Sequence, residues 1–276
     1  MQVWTAWLQG RKNAPSHVRK IFDLWQTLNP KAKLVVLEEA EIQEILRDIG
    51  VTDNKLSPQV KTDIARTYLL ANEGGVWVDS TLLPTRPLDS WLNAELKAEG
   101  FFAFRSSGHP ALVLQNWFLY SEQNHPLTRA WLELYCDYFR SKRFLAGSRR
   151  IFLSPHILDV FRHRWAIKRR DFEFFVDPKR GRSCRMYPYA IHNYCLFYLL
   201  RRDHTLARIW ESVPKHYHAQ PSVIGYFAGD TETCDEVFLE LALELIAHAP
   251  VHKLNHREKR FVSLIDKAVT KGLISA

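Results

Sequence analysis

The segment from residue 60 to residue 83 constrains the fold of this chain more than any other part. It reads V-K-T-D-I-A-R-T-Y-L-L-A-N-E-G-G-V-W-V-D-S-T-L-L. Apolar residues recur at helical spacing, two glycines break the helix, and a short apolar strand follows. Asp79 stands where this strand ends. A carboxylate at that position lies at the sheet edge where ligands of α/β proteins usually bind, so we expect Asp79 to belong to a functional site.

Strand and helix patterns alternate through the first part of the chain, which predicts an α/β fold with a Rossmann-like sheet. The predicted strands are 3–8, 33–37, 76–78 and 101–104, and the predicted helices are 15–28, 39–49 and a helix that begins near 57. Helical patterns then dominate at 110–122, 127–141, 155–165, 191–200, 204–212 and 235–247, with a strand-like stretch at 172–176. We therefore predict one domain over 1–276, with an α/β part at 1–108 and a mainly helical part at 109–276.

The composition suits a folded protein with a large core. The chain has 276 residues, of which 46% are hydrophobic, and its four cysteines form no C-x-x-C pair. This cysteine usage argues against a zinc knuckle or a dense disulfide framework and favours a reducing compartment. No signal-peptide pattern and no apolar run of about 18 residues is present. We therefore expect a cytoplasmic protein, including the case of one bound peripherally at the inner face of the membrane.

Positive charge is concentrated in three clusters. The net charge is +8, and the clusters are 162–170, 179–185 and 256–271. Basic patches attract polyanions such as nucleic acids, anionic lipids or acidic glycans, whereas a solvated surface is the simpler explanation for any one cluster. No nucleic-acid-binding motif accompanies the charge, so nucleic acid is not an expected partner.

A small set of charged residues surrounds the predicted strand end. Asp63 and Arg66 are three residues apart and share one side of their helix. Gly74 and Gly75 allow a sharp turn and a close backbone approach to a ligand. Two carboxylates and a guanidinium at one edge can hold sugar hydroxyls and a diphosphate or its metal, whereas a surface salt bridge is the plainer alternative.

The order D-x-x-R-x-x-x-L-x-x-x-G-G-x-W-x-D at 63–79 resembles the DXD sugar-binding region of retaining, nucleotide-sugar-dependent glycosyltransferases with a GT-A fold. Within that group the chain looks most like the capsular polysaccharide synthesis branch. Further matching segments are W-T-A-W-L-Q-G at 4–10, N-A-P at 13–15, H-N-Y-C-L-F-Y-L-L at 192–200 and P-V-H-K-L at 250–254. The resemblance is specific at 60–88 and weak between 120 and 185.

The resemblance implies roles for individual residues. Asp63, Arg66 and Asp79 are the implied catalytic residues, with the first two on the donor sugar and Asp79 on the ribose or a metal. The resemblance also implies three groups of donor-binding residues. Trp4, Trp7 and Gln9 shape the base pocket, Ser80 and Thr81 follow Asp79, and Lys253 binds the diphosphate. His252 is implied as a metal ligand beside Asp79. On the acceptor side we expect His192, Asn193 and the loop residue Asp230, although His192 is equally explained as a capping or packing residue.

Thr81 departs from the DXD pattern, because it stands where a second acid is expected. A hydroxyl is a poor replacement for a carboxylate on Mg²⁺ or Mn²⁺. Two alternatives remain open at this point. A Mn²⁺ or Mg²⁺ ion is held by Asp79, His252 and the donor phosphates, or Lys253 neutralises the diphosphate without a metal. The resembling branch tolerates threonine here.

The resemblance implies transfer of a hexose from a nucleotide diphosphate sugar, with UDP favoured, to a glycan acceptor, including an anionic one, with retention of configuration. Capsule or surface polysaccharide synthesis is the implied process. One alternative is a catalytically degenerate scaffold that only binds nucleotide sugar or glycan. Another is a basic adaptor that binds anionic membranes through its tail, where residues 261, 262, 264, 265 and 269 are apolar.

Overall fold

The protein has a mixed α/β architecture in the computed structural model, which describes residues 1–52, 56–140, 157–181, 187–228 and 234–274. The strands in these ranges are β1 (Gln2–Ala6), β2 (Lys33–Leu37), β3 (Gly75–Val78), β4 (Leu82–Pro84), β5 (Phe101–Arg105), β6 (Leu114–Ser121) and β7 (Val251–Lys253). The α-helices are α1 (Ser16–Leu28), α2 (Glu39–Asp48), α3 (Pro58–Asn72), α4 (Ala94–Lys97), α5 (Pro126–Arg140), α6 (Ile157–Lys168), α7 (Ile191–Arg202), α8 (His204–Ser212), α9 (Ala219–Phe227), α10 (Asp235–Leu245) and α11 (Arg260–Thr270).

A five-stranded sheet in the order β2-β1-β3-β6-β5 organises the molecule. β1 runs parallel to β2 and to β3, whereas β6 runs antiparallel to β3 and to β5. The carboxyl ends of the three parallel strands therefore meet at the edge where β6 begins. The predicted α/β fold class, with a Rossmann-like first half and a mainly helical second half, is confirmed.

A second, two-stranded sheet brings a distant part of the chain to the same edge. β4 pairs antiparallel with β7, and Leu82 lies opposite Lys253 in this pairing. The backbone N–H of Leu254 also donates to the Thr81 carbonyl at 2.9 Å. The residues that follow Asp79 are thereby held against the P-V-H-K-L segment, although 172 residues separate Thr81 from Lys253.

Two of the predicted elements are wrong. The stretch 110–122 was expected to be a helix, but it contains β6, which pairs with strands on both sides. From Trp117 onwards, the side chains of this strand are buried on both faces of the sheet. The sequence L-Q-N-W-F-L-Y-S therefore lacks the alternation of apolar and polar residues that marks a half-exposed strand. The strand expected at 172–176 is a 3-10 helix, Phe172–Phe175, because the Asp171 side chain caps it by accepting from the Phe174 N–H.

The double glycine serves the fold and lies away from the cleft. Gly74 and Gly75 have φ values of +72° and +102°, a region that favours glycine. A Cβ on Gly75 would lie 2.5 Å from the Gln2 carbonyl oxygen, and one on Gly74 would lie 2.7 Å from the Gln123 nitrogen. The close approach expected between these glycines and a ligand is therefore an approach to the protein's own backbone, at the amino end of β3.

A continuous hydrophobic core extends across the sheet and the helices that cover it. Most of the large aromatic side chains belong to this core, including Trp25, Trp77 and Trp131. Within the described ranges, no helix is both long and apolar enough to span a bilayer.

Candidate active site

A cleft of about 490 Å³ opens at the carboxyl edge of β1 and β3. Its walls come from six regions of the chain: the end of β1 and the residues after it, the amino-terminal part of α3, the end of β3, the start of β6, the start of α7, and β7. Residues lining it include Trp7, Gln9, Gln59, Thr62, Asp63, Arg66, Trp77, Asp79, Ser80, Gln115, Asn116, Trp117, Tyr189, Asn193 and Lys253. This is the sheet edge at which the sequence predicted a functional site.

Four charged side chains form a continuous ion-pair network in the cleft. Arg66 Nη1 donates to Asp63 Oδ1 at 2.8 Å, and Arg66 Nη2 donates to Asp79 Oδ1 at 2.8 Å. Lys253 Nζ donates to Asp79 Oδ2 at 2.6 Å. The predicted convergence of Asp63, Arg66 and Asp79 is present, and Lys253 joins them from the carboxyl-terminal part of the chain.

Local structure explains why these side chains meet. The Ser57 hydroxyl caps α3 by accepting from the Val60 N–H, and Pro58 occupies the first turn, so the helix begins at a fixed point. Asp63 and Arg66 then follow on the helix face that points at the sheet. The Asp79 N–H donates to the Trp117 carbonyl at 2.9 Å, which continues the β3–β6 pairing one residue beyond the strand and fixes the carboxylate at its end.

The two carboxylates have opposite electrostatic environments. Burial raises the pKa of Asp79, but the charges of Lys253 and Arg66 and hydrogen bonds from Lys253 and Trp77 outweigh it and hold this pKa below the ordinary value. Burial instead dominates at Asp63, where it raises the pKa to about 6 against the opposing charge of Arg66. Asp79 is therefore ionised at neutral pH, and Asp63 is the acid of the pair whose pKa lies nearer neutrality.

Trp77 holds Arg66 and Asp79 in place. The Arg66 guanidinium carbon lies 4.9 Å from the centre of the Trp77 ring, and Trp77 Nε1 donates to Asp79 Oδ1 at 3.1 Å. A guanidinium stacked on an aromatic ring and bound to two carboxylates has little freedom to move. Sequence reasoning did not assign Trp77 to the site, although its position two residues before Asp79 was the available signal.

The D-S-T segment, residues 79–81, binds the side-chain ammonium group of Lys253. Lys253 Nζ donates both to Asp79 Oδ2 and to Thr81 Oγ1, the latter at 2.8 Å. An ammonium group has three N–H donors, and two of them have protein acceptors within the described ranges, which leaves one for a ligand. Ser80 lines the cleft, whereas Thr81 is buried and contacts Lys253.

His252 does not reach the cleft. Successive residues of a strand point to opposite sides, so the exposure of Lys253 to the cleft directs His252 into the core. Its side chain is buried, and Nε2 pairs with the Ile246 carbonyl at 2.9 Å. Burial lowers the pKa of this imidazole to about 4. The predicted pairing of His252 with Asp79 at a metal is therefore not formed.

The residues of the cleft do not fit a Mn²⁺ or Mg²⁺ ion. Both oxygens of Asp79 already accept from cations, Thr81 supplies a hydroxyl that also accepts from Lys253, and His252 faces away. The described residues contain no group of three or more His, Cys, Asp or Glu side chains arranged for metal binding. Hard divalent cations need several charged oxygens, and this donor set does not supply them.

The tryptophans near β1 have different environments. Trp4 lies within β1 and is buried, with Nε1 donating to the Gly74 carbonyl at 2.9 Å, so it is a core residue and not part of the expected base pocket. Trp7 follows the end of the strand and lines the cleft with Gln9. Its ring meets His256 edge-on at 6.4 Å, and its buried indole N–H has no partner among the described residues.

His192 and Asn193 support the cleft from α7. His192 is buried, stacks on Trp131 at 3.9 Å and pairs with Thr67 Oγ1 at 2.8 Å, so it is the packing residue that the alternative explanation describes. Burial holds its pKa well below the ordinary value. Asn193 lines the cleft, and its Oδ1 accepts from the Val113 N–H at 3.1 Å.

Some features of the cleft were not predicted, and one expected residue lies outside the described ranges. The start of β6 contributes Gln115, Asn116 and Trp117, which the prediction of a helix at 110–122 concealed. Tyr189 is 89% exposed at the rim. Asp230, expected on the acceptor side, lies in a part of the chain that the structure does not describe.

Comparison with known proteins places this architecture in a family. Among solved structures, the chain is similar to the PaToxG glycosyltransferase, with 13% sequence identity and a TM-score of 0.36 over 77% of this chain and 85% of that one. No curated protein matches the chain. The model of the capsular polysaccharide synthesis protein family matches residues 1–173, which include the network residues Asp63, Arg66 and Asp79. This chain belongs to the capsular polysaccharide synthesis protein family.

Proposed function

We propose that this protein is a GT-A glycosyltransferase that moves a hexose from a nucleotide diphosphate sugar, with UDP as the favoured nucleotide, to a glycan or polysaccharide acceptor. The observation that carries the proposal is the network of Asp63, Arg66, Asp79 and Lys253 in a cleft at the carboxyl edge of the parallel strands. Family membership supports the setting, which is the synthesis of capsular or surface polysaccharide.

The nucleotide is proposed to bind on the side of the cleft formed by Trp7 and Gln9. Trp7 offers an aromatic surface and a buried N–H that has no partner within the described part of the chain. A buried donor that lacks a partner favours a ligand that supplies an acceptor, because an unmade hydrogen bond costs about 1–3 kcal/mol. Gln9 adds an amide within the same wall.

The diphosphate is proposed to bind between Lys253 and the amino terminus of α3. Lys253 has one N–H donor left for a phosphate oxygen. Gln59 and Thr62, from the first two turns of α3, line the cleft, so the positive end of the helix dipole faces it. Both groups favour an anion in the same place.

Catalysis is proposed to depend on charge that is already in position. As the glycosidic bond breaks, negative charge accumulates on the leaving diphosphate, so the Lys253 ammonium stabilises the transition state more than the bound donor. Because the cleft does not fit a divalent cation, we assign this role to Lys253 and not to Mn²⁺ or Mg²⁺. Asp63 and Arg66 are proposed to orient the sugar hydroxyls, and transfer with retention follows from the resemblance.

The acceptor is proposed to enter beside Asn193 and Tyr189, on the α7 side of the cleft. Asn193 is itself bound to the β6 backbone and to Asn116, whose amide lines the cleft. Tyr189 projects from the rim, where an aromatic face can stack on a sugar ring.

A donor screen tests the proposal. Thermal unfolding and nucleotide release are measured with UDP-, GDP- and CMP-sugars, each with Mn²⁺ and with EDTA. We expect one nucleotide diphosphate sugar to stabilise the protein and to release its nucleotide in the presence of EDTA. Stabilisation without release, even with glycan acceptors supplied, would favour the degenerate binding scaffold. A protein that responds to no donor would contradict both functions.

Two substitutions refine the assignment. Asp79→Asn keeps the shape of the side chain but removes the charge that holds Arg66 and Lys253, so nucleotide release is expected to fall at least 100-fold. The control is Asp266→Asn, which breaks an exposed ion pair with Lys20 outside the cleft. Asp63→Asn is expected to impair use of the donor sugar more than binding of the free nucleotide diphosphate. An equal loss of both would contradict the proposed contact with the sugar.

A further inference from the structure

The helix α6 presents an apolar stripe to solvent. Leu158, Phe161 and Trp165 are 69%, 61% and 49% exposed. Their spacing of three and then four residues places them on one face of the helix. Large apolar side chains in such a row are unusual on the surface of a protein unless another apolar phase covers them.

The opposite face of α6 is packed, so the stripe is not the result of a detached helix. Ala166 is buried, and the His163 ring lies 5.0 Å from the Phe175 ring. The Arg162 guanidinium lies over Phe174 and donates to the Arg180 carbonyl at 2.9 Å. These contacts fix α6 on the 3-10 helix Phe172–Phe175 with the stripe outward.

Basic residues border the stripe on both sides. The segment 160–170 contains five arginine and lysine residues and no Asp or Glu. At 100° per residue, Arg164 and Lys168 fall on one side of the stripe, and Arg162 and Arg169 fall on the other. Arg169 also lies over the exposed Trp165 ring, at 5.0 Å from its centre. This cluster was noted in the sequence, and the active-site cleft does not use it.

We propose that α6 lies in the interface of an anionic lipid membrane, with Leu158, Phe161 and Trp165 inserted at the boundary between headgroups and acyl chains. A helix with Trp, Phe and Leu on one face and Lys and Arg beside them has the composition of an interfacial helix. The basic border complements the negative surface of such a membrane, and each Lys or Arg adds to the attraction. An acidic glycan would use the charges but would leave the aliphatic and aromatic stripe in water.

The carboxyl-terminal helix does not serve this purpose. Its apolar residues were expected to bind lipid if the protein is an adaptor, but Phe261, Leu264 and Ile265 are buried in the core. Phe261 packs near His17 and Phe238, and Asp266 pairs with Lys20 of α1. The proposed membrane contact therefore lies on α6, and α11 provides a matched control.

Flotation with vesicles tests the proposal. The protein is mixed with phosphatidylcholine vesicles that contain or lack about 30% phosphatidylglycerol, a fraction chosen to give a strongly anionic membrane surface. Phe161→Ser with Trp165→Ser removes most of the stripe, and Lys168→Glu with Arg169→Glu reverses the border. Tyr226→Ser on α9 and Lys267→Glu with Lys271→Glu on α11 are the controls for an exposed aromatic residue and for charge.

We expect the wild-type protein and both controls to float with the anionic vesicles at low salt and to dissociate in about 0.5 M salt. Each α6 variant is expected to bind roughly tenfold more weakly while unfolding at the wild-type temperature. Unchanged binding after the loss of Phe161 and Trp165 would refute insertion of the stripe. A different result would assign the surface to polyanions instead: the charge variant loses binding to both soluble heparin and vesicles, and the serine variant binds as the wild type does. The expected binding needs no donor sugar, so it is independent of the proposed transferase activity.

Discussion

Replacing Lys253 by methionine is the most direct test of the chemistry proposed for the cleft. Methionine keeps most of the apolar stem but removes the ammonium that contacts Asp79 at 2.6 Å and Thr81 at 2.8 Å. The matched control is Lys61→Met. Lys61 forms a comparable pair with Glu39, at 2.8 Å, but it does not line the cleft.

The structure sets the expected magnitude for stability. The side chains of Lys253 and Asp79 are 28% and 25% exposed, so this pair lies between the exposed and the fully buried cases. Loss of one partner is therefore expected to lower the free energy of unfolding by about 1–3 kcal/mol. Asp79 keeps Arg66 as a partner, which limits the loss. The side chains of Lys61 and Glu39 are 14% and 42% exposed, so the Lys61 variant is expected to lose a similar amount of stability, and activity is the property that separates the two variants.

The effect on activity is expected to be larger than the effect on stability. Removal of one preorganised donor from a developing anion lowers turnover by about 100- to 1,000-fold. Nucleotide release from the donor is measured for the wild type and both variants, in EDTA and in Mn²⁺. We expect activity of the wild type to persist in EDTA and only the Lys253 variant to be impaired. Wild-type activity that EDTA abolishes and Mn²⁺ restores would refute the assignment of the leaving-group charge to Lys253.

Three further predictions concern the supports of the cleft. The native pKa of Asp63, about 6, exceeds its ordinary value of 3.8, so the folded protein takes up a proton before the unfolded chain does. Ionised Asp63 therefore disfavours folding above pH 6. Thermal unfolding should show that the wild type becomes more stable as the pH falls from 7 to 5, whereas Asp63→Asn does not gain this stability. Gly225→Ala would place a Cβ 2.2 Å from the Lys253 carbonyl oxygen. Urea unfolding should therefore show a free energy of unfolding that is lower by about 1–3 kcal/mol. Gln220→Ala, at an exposed position of the same helix, is the control and should cause no such loss. His192→Ala removes a buried ring and its hydrogen bonds, so the same assay should show a free energy of unfolding that is lower by about 2–4 kcal/mol. A variant as stable as the wild type would contradict the packing role of His192.

The sequence predicted the part of the site that lies within one short segment. Asp63 and Arg66 are one helical turn apart, and Asp79 follows the next strand, so local periodicity was enough to bring the three together. Lys253 is 174 residues from Asp79, and only the resemblance pointed to it. No local pattern encodes the pairing of β4 with β7, because each strand has three residues.

Two of the errors come from strands, β6 and β7, that were not identified as strands. Once residues 251–253 form a strand, alternation allows only one of His252 and Lys253 to face the cleft, and a helical or loop interpretation does not impose this choice. Trp4 lies inside β1 and Trp7 lies beyond its end, a difference that the predicted strand end at residue 8 did not show. The apolar β6 was mistaken for a helix for lack of alternation.

The charges of the cleft explain why its two acids differ. Asp63, Asp79, Arg66 and Lys253 sum to zero formal charge when both acids are ionised, so a bound diphosphate adds negative charge that these four residues do not balance. The α3 dipole supplies only about half a unit of positive charge. A group that takes up a proton as the anion approaches supplies the rest, and an acid with a pKa already near 6 does so more readily than one held well below its ordinary value. We therefore propose that Asp63 is the acid whose charge responds to the donor, while Asp79 stays ionised and keeps Lys253 positioned for the leaving group.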